Sequence, residues 1–186
     1  MKVFLIMIIL VFTFSMSMAP VLSADARADN RMRVLNELQR MVHEKEFNRF
    51  ACHLGRKESP DWTKINQIGC MGQYQFAPST LKHLGYGHIT PDRFRKDPEI
   101  FPRELQFRLL VALVKCNEIT LRHYMSYVGE TINGVEITKS GILAGAHLGG
   151  PQSVILYLQS HGRINRGDMN GTTIQDYIKE FQGYNI

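Results

Sequence analysis

Apolar and polar positions alternate with a helical period in the first part of the chain. Between Asn30 and Phe50, apolar residues recur at intervals of three or four, and Asp29 or Asn30 can cap the start. The apolar positions are Val34, Leu35, Leu38, Met41, Val42 and Phe50. This spacing places them on one face, so we predict an amphipathic helix from Asn30 to about Phe50.

The helical period stops after this helix. From about Ser59 to Phe76 the sequence is polar and contains proline and glycine, which is typical of a loop, with a short hairpin around Cys70 to Phe76. Asn133-Gly134 is a tight-turn signal and predicts a second small hairpin.

Helical patterns return in the second half of the chain. A long helix is predicted from Pro102 to about Val128, and its apolar stretch Leu109 to Val114 indicates a buried centre. A helix from Thr138 to about Leu148 is broken by Gly149-Gly150-Pro151. Shorter helices are predicted at Ser79 to Leu84, Gln152 to Ser160 and Thr172 or Thr173 to Phe181. The predicted fold class is mostly α, one domain with a small loop and β-hairpin region.

The first two dozen residues have the pattern of an export signal. Lys2 precedes an apolar run from Val3 to Val11, and small residues follow. A basic start, a short apolar segment and an A-x-A site are typical of a secretory signal peptide. We expect cleavage after Ala24, or as late as residue 28, and a mature domain over residues 30–186 that is periplasmic or secreted, without stable membrane insertion. An uncleaved membrane anchor is the alternative.

Composition and charge narrow the class of partner. The chain has 186 residues, 44% hydrophobic and 21% charged, which excludes a disordered chain and a cysteine-rich miniature scaffold. Lys and Arg number 22 against 17 Asp and Glu, and the net charge of +5 favours a polyanionic partner. Export removes nucleic acid as the natural candidate and favours an anionic cell-wall polymer.

Three cysteines allow at most one internal disulfide in an exported chain. We expect Cys52 and Cys70 to pair, because a bridge there would join the ends of one irregular segment. Cys116 lies in an apolar helical run and is expected to be a buried free thiol. No C-x-x-C or H-x-x-x-H spacing occurs, so neither a metal nor another cofactor is predicted.

Glu58 stands where the first predicted helix gives way to the loop. Cleavage of a glycosidic bond requires a proton donor at the leaving oxygen, and a carboxyl at the junction of helix and loop is a candidate donor. A solvent-exposed glutamate beside Arg56 and Lys57 is the alternative on position alone.

Three short motifs in the order found here resemble the lysozyme-like superfamily, specifically the lytic transglycosylases and goose-type lysozymes. Those proteins carry Glu-Ser, then Gly-Leu-Met-Gln, then Ala-Tyr-Asn-x-Gly. This chain carries Glu58-Ser59, Gly72-Gln73-Tyr74-Gln75 and Ala146-His147-Leu148-Gly149-Gly150, separated by about fourteen and about seventy residues. Asp176-Tyr177-Ile178 is similar to a late Tyr-Val element. The resemblance covers roughly residues 32–181.

The resemblance implies a role for each matching residue. Glu58 would be the sole catalytic acid and then the base, and Ser59 would order the substrate's N-acetyl group or the loop near it. Tyr74 and Gln75 would line the groove beneath the sugars, and Gly72 would let the backbone come close.

Three further residues complete the predicted site. His147 replaces a tyrosine that the family has beside the glutamate, and Tyr177 could hydrogen-bond that glutamate. Trp62, in the loop after Glu58, is the best candidate for a platform on which a sugar stacks.

The resemblance implies cleavage of the β-1,4 bond between N-acetylmuramic acid and N-acetylglucosamine in peptidoglycan glycan strands. With one catalytic glutamate, a lytic transglycosylase that forms 1,6-anhydro ends is favoured. If Asp61 or Asp92 positions a water, the enzyme is instead a hydrolytic lysozyme. His147-Leu148 replaces Tyr-Asn, which leaves open a non-catalytic peptidoglycan-binding or assembly protein.

Overall fold

The computed structural model describes the backbone of residues 24–186 and the side chains of residue 29 and residues 31–186. Over these residues the protein is mostly helical, as the hydrophobic pattern predicts. The α-helices are α1 Ala24–Glu58, α2 Pro78–His83, α3 Pro91–Lys96, α4 Arg103–Leu121, α5 Lys139–Gln159 and α6 Ile174–Glu180. Two 3-10 helices, Pro98–Ile100 and Arg122–Tyr127, and a strand pair, β1 Thr131–Ile132 and β2 Val135–Glu136, lie between them.

The chain divides into two units, Met1–Val42 and His43–Ile186. The predicted signal peptide, residues 1–24, lies outside the described residues except for Ala24, where α1 begins. In the part of the chain that the structure describes, the helices lack the combined length and apolar character that crossing a bilayer requires.

Helix α1 is longer than the sequence pattern predicts, running from Ala24 to Glu58 rather than from Asn30 to about Phe50. The apolar side chains that the structure describes in the first unit are all more than half exposed. They are Met32, Val34, Leu35, Leu38, Met41 and Val42. The period of three to four residues therefore predicts the helix correctly, but it does not say that the apolar face is covered.

Two hydrophobic clusters form the core of the second unit. The larger one includes Phe50 and Leu54 of α1, which are fully buried, and Phe50 packs edge-on against Phe181 with ring centroids 5.5 Å apart. The second cluster lies among α5, α6 and the strand pair and includes the fully buried Tyr157 and Ile178. These contacts fix the last turns of α1 against the end of the chain.

The predicted break in α5 is present, whereas the prediction of one continuous α-helix to about Val128 is wrong. Helix α4 ends at Leu121, and the residues up to Tyr127 form a 3-10 helix instead of the predicted α-helical continuation. Helix α5 is kinked at Gly150, whose φ of 75° and ψ of 162° are not helical, immediately before Pro151. Glycine tolerates this backbone conformation, and proline cannot donate the hydrogen bond that a straight helix would need.

The predicted Asn133-Gly134 hairpin is confirmed. Thr131 pairs with Glu136 in antiparallel register. Asn133 and Gly134 both have positive φ, 51° and 75°, as a two-residue type I′ turn requires. Ile132 is buried against the second cluster, so this hairpin packs on the core.

The structure corrects both predictions about cysteine. Cys52 and Cys70 are free thiols, with Cys52 exposed and Cys70 buried, and Cys116 is exposed rather than buried. Hydrogen bonds between Asn66 and Cys70 hold this part of the loop. The Cys70 N–H donates to Asn66 Oδ1 at 2.8 Å, and the Asn66 N–H donates to the Cys70 carbonyl at 3.0 Å. Burial raises the pKa of the Cys70 thiol.

Helix α6 packs closely against α5 at Gly141. A Cβ atom on Gly141 would lie 2.7 Å from the Ile178 carbonyl oxygen, closer than carbon and oxygen can pack. The Ser140 hydroxyl also donates to the Phe181 carbonyl at 2.7 Å. The absent side chain at Gly141 therefore sets how close α6 lies to α5.

Replacing Gly141 by alanine should destabilise the protein, although alanine favours a helix over glycine by about 1 kcal/mol. The added methyl must displace α6, and overpacking of this kind costs about 1–3 kcal/mol. Thermal unfolding of Gly141→Ala should show a lower melting temperature. Gly145→Ala is the matched control, because its Cβ would meet Ile174 and Val154 side chains at 3.4 Å. Equal melting temperatures for the two variants would contradict the close packing.

Candidate active site

Glu58, the candidate acid, is the last residue of α1. Pro60 disfavours the helical conformation at Ser59, which accounts for the end of the helix at Glu58 rather than near Phe50, where the apolar pattern placed it. Leu54 and Phe50, one and two turns earlier, anchor this end of α1 in the core. The Glu58 side chain is 15% exposed. Its carboxyl is therefore largely removed from water and requires polar partners.

Tyr177 supplies one of these partners. Its hydroxyl donates a hydrogen bond to Glu58 Oε1 at 2.6 Å, as the sequence analysis predicted. A capping box between Thr173 and Asp176 starts α6 and directs the helix that carries the tyrosine. Tyr177 is buried, and burial, followed by the nearby Glu58 carboxylate, raises the pKa of its phenol far above the usual range. The phenol therefore acts as a hydrogen-bond donor.

His147 of α5 lies near the same oxygen of the carboxyl as Tyr177. Its Nε2 is 3.8 Å from Glu58 Oε1 and 2.9 Å from the Tyr74 carbonyl oxygen, which only accepts hydrogen bonds. Nε2 therefore carries a hydrogen, while the buried Nδ1 has no hydrogen-bond partner among the described residues. Glu58, His147 and Tyr177 thus come together from three helices, as predicted.

Ser59 shapes the loop that follows Glu58. Its hydroxyl donates to the Asp61 carbonyl at 2.9 Å and accepts from the Asp61 N–H at 3.1 Å. The side chain is buried. Of the two roles expected for Ser59, ordering the loop matches these contacts.

The predicted hairpin beside Glu58 is formed by two residues that flank a tight turn. Met71 and Phe76 exchange backbone hydrogen bonds of 2.9 and 2.8 Å, and the turn runs between them. Gly72 has a φ of 82° and Gln75 a φ of 48°. The Gln75 side-chain amide donates to the Gly72 carbonyl at 2.8 Å, which holds this left-handed turn closed.

Gln106 ties this turn to the loop after Glu58, and sequence reasoning missed it. The fully buried amide accepts from the Gln73 N–H at 2.7 Å. It donates to the carbonyls of Trp62 and Phe101 at 2.9 and 2.8 Å. A Cβ on Gly72 would lie 2.4 Å from the Gln106 oxygen, so glycine is required there by space as well as by φ.

A signal for Gln106 is present in the sequence. It precedes Leu109 and Leu110 by three and four residues, so a helix places this polar side chain on the apolar face. A polar residue on such a face must find partners in the core. The sequence does not identify those partners, because they lie in loops 33 and 44 residues away.

The prediction that the Tyr74 side chain lines the groove is wrong. Its ring is buried in the larger core cluster, edge-on to Phe76, because an aromatic side chain of this size gains more from packing than from solvent. Its contribution to the site is the carbonyl that binds His147. Trp62 is half-buried against the same cluster, and the Arg103 guanidinium lies 5.7 Å from its ring centroid.

A pocket of about 580 Å³ has His147 in its lining, but neither Glu58 nor Tyr177 lines it. The loop around Gln75, helix α2, helix α4 and the kink of α5 line it, and His147 belongs to both the pocket lining and the surroundings of Glu58. None of the described residues that line it is Asp, Glu, Lys or Arg. Its walls combine hydroxyl and amide groups, from residues such as Thr80 and Asn117, with apolar side chains such as Leu113. This composition suits an uncharged polar ligand.

Comparison of the chain with protein-family models, with curated proteins and with solved structures finds no match. Within the described residues, no group of three or more His, Cys, Asp or Glu side chains is arranged to hold a metal ion.

Gln106→Leu should lower the free energy of unfolding by about 3 kcal/mol, because each buried polar group left without a partner costs about 1–3 kcal/mol. The change removes the hydrogen-bond partner of the Gln73 N–H and of the carbonyls of Trp62 and Phe101. Denaturant unfolding measures the loss. Gln67→Leu, an exposed position in the same loop, is the matched control. Equal effects of the two substitutions would contradict the anchoring role.

Stability above pH 10 should report on Tyr74. Burial raises the pKa of its phenol to about 12, so the folded state holds this proton more tightly than the unfolded state does. The contribution is complete below about pH 10 and is lost as the pH rises toward 12, at about 1.4 kcal/mol per pH unit. Wild type should therefore lose stability relative to Tyr74→Phe between pH 10 and 12, and the difference between the two should stay constant below pH 9. A difference that does not change with pH would contradict the burial of the phenol.

Proposed function

We propose that this protein is a peptidoglycan-cleaving glycosidase with a lysozyme-like fold, and that it acts as a lytic transglycosylase. The observation that carries the proposal is the setting of Glu58, a largely buried carboxyl at a helix end that accepts a hydrogen bond from the buried Tyr177. The order of the three motifs and the hairpin turn between Met71 and Phe76 support it.

In the proposed reaction Glu58 acts first as an acid. Tyr177 occupies Oε1, so the proton is carried on Oε2 and passes to the glycosidic oxygen as its bond to the anomeric carbon breaks. The acetamido oxygen of the same N-acetylmuramic acid bonds to the anomeric carbon. The hydrogen bond from Tyr177 stabilises the carboxylate that remains.

In the second step Glu58 acts as a base. Its carboxylate accepts the proton of the C6 hydroxyl while that oxygen bonds to the anomeric carbon and the acetamido oxygen leaves. The products are a 1,6-anhydro sugar and a shortened glycan. No water is consumed, and Glu58 returns to its protonated form.

The positions of two other carboxylates favour this route over hydrolysis. Asp61 is the nearest carboxylate in sequence, and it accepts hydrogen bonds from the Thr63 N–H and hydroxyl at 2.9 and 2.7 Å. These bonds lower the pKa of Asp61 and hold its side chain against the turn that it forms with Thr63. Asp92 pairs with Arg95 on exposed α3. A hydrolase of the two-carboxylate type needs a second acid across the sugar ring from the first.

The pocket and the charge of the chain support a glycan as the substrate. The uncharged lining suits sugars that carry hydroxyl and acetamido groups, and the net charge of +5 attracts an anionic polymer. The apolar, A-x-A-bearing start of the sequence supports a periplasmic or secreted location, where such a polymer is found.

Glu58→Gln should reduce the release of fragments from purified peptidoglycan at least a thousandfold, because the amide cannot donate and recover the proton. The substitution keeps the acceptor for Tyr177, so the fold is expected to persist. Glu104→Gln, an exposed glutamate in the first turn of α4, is the control and should retain activity. Activity of Glu58→Gln equal to wild type would contradict the proposal.

Mass spectrometry of the fragments separates the mechanisms. Fragments that end in 1,6-anhydro sugars are the expected products, whereas reducing ends would assign a hydrolytic lysozyme. If wild type binds peptidoglycan and releases no fragments, the protein is instead a non-catalytic binding protein. The replacement of Tyr-Asn by His147-Leu148 is the reason for considering this alternative.

A further inference from the structure

The last turn of α1 makes a second set of contacts that the proposed chemistry does not use. Lys57 Nζ lies 2.5 Å from Glu180 Oε2 and 5.6 Å from the centroid of the Tyr177 ring. Tyr177 and Glu180 are three residues apart on α6 and therefore lie on the same face. Lys57 thus binds α6 at the turn from which Tyr177 reaches Glu58.

His53, one turn before Lys57, contacts the same part of α6. Its Nε2 lies 3.2 Å from Glu180 Oε1, and its Nδ1 lies 2.8 Å from the Tyr184 hydroxyl. Its ring stacks on Phe181 with centroids 4.4 Å apart. The two oxygens of Glu180 therefore bind two successive turns of α1, and these side chains are about one-third exposed.

We propose that Lys57 and Glu180 are positioning residues that set the place of the Tyr177 hydroxyl relative to Glu58. This inference rests on the proposed function, because it assigns a task in the reaction of Glu58. Lys57 and Glu58 are adjacent, and both contact Tyr177, one over the ring and the other at the hydroxyl.

The pairing with Glu180 has an electrostatic consequence. It holds the Lys57 ammonium against the electron-rich face of Tyr177, where a cation is favoured. The ion pair is partly exposed and gives little stability by itself. Its value is geometric, since an error of about 1 Å in a catalytic group can cost about a hundredfold in rate.

The kinetic test separates positioning from folding. Lys57→Met should lower kcat about tenfold and leave KM unchanged, because the lost contact affects the reacting geometry and not the binding of glycan. Lys57→Arg should restore most of kcat, since it retains the cation and the bond to Glu180. Lys115→Met, an exposed lysine of α4, is the matched control and should behave as wild type.

A double-mutant cycle identifies the route of the effect. If Lys57 acts through Tyr177, Lys57→Met should cause no further loss of kcat in a Tyr177→Phe background. Additive losses in that background would overturn the inference.

A spectroscopic measurement tests the positioning without relying on activity. In full-length protein labelled with 13C at tyrosine Cζ, the Tyr177 resonance, assigned by its disappearance in Tyr177→Phe, reports the hydrogen bond to Glu58. Lys57→Met and Glu180→Gln should both shift this resonance in the same direction, and Lys115→Met should not. An unchanged resonance in the first two variants would overturn the inference. If wild type releases no fragments, the proposed function fails, and the resonance still decides the question of positioning.

Discussion

The hydrogen bond from the Tyr177 hydroxyl to Glu58 Oε1 joins residues 119 positions apart and fixes the end of one helix to the start of another. A carboxyl that is 15% exposed loses most of its hydration, and that loss must be offset by donors that the protein supplies. Tyr177 is such a donor, and His147 Nε2 lies nearby at 3.8 Å. The position of α6 relative to α1 follows from this requirement.

The loops around the carboxyl are also held by hydrogen bonds between buried polar groups. Gln106, fully buried on α4, uses both ends of its amide to hold the loop after Glu58 and the turn after Met71. Gly72 leaves the space that this amide occupies. Because one buried side chain of α4 binds both loops, the hairpin is held in a fixed position relative to the loop after Glu58.

Local rules predicted much of this fold. The kink of α5 follows from Gly150 and Pro151, and the small hairpin follows from Asn133-Gly134. Each of these depends on backbone preferences that neighbouring residues set. The motif order also placed His147 and Tyr177 beside Glu58, which periodicity alone could not have done.

Features that depend on long-range packing were not predictable. The sequence suggested a Cys52–Cys70 bridge and a Tyr74 ring in the groove, whereas the loop is held by its own hydrogen bonds and the ring is in the core. Two of the three partners of Gln106, Gln73 and Trp62, lie on distant segments, and only the fold brings them together. The exposed apolar face of α1 shows the same limit, since a pattern identifies a face and not what covers it.

The most direct test of the central claim is a crystal structure of Glu58→Gln bound to a peptidoglycan tetrasaccharide. The account predicts the saccharide in the pocket beside His147, with a glycosidic oxygen within about 3 Å of the side chain at position 58, the reach of a general acid. A saccharide bound elsewhere, or in this pocket with its glycosidic oxygens beyond hydrogen-bonding reach of that side chain, would contradict it.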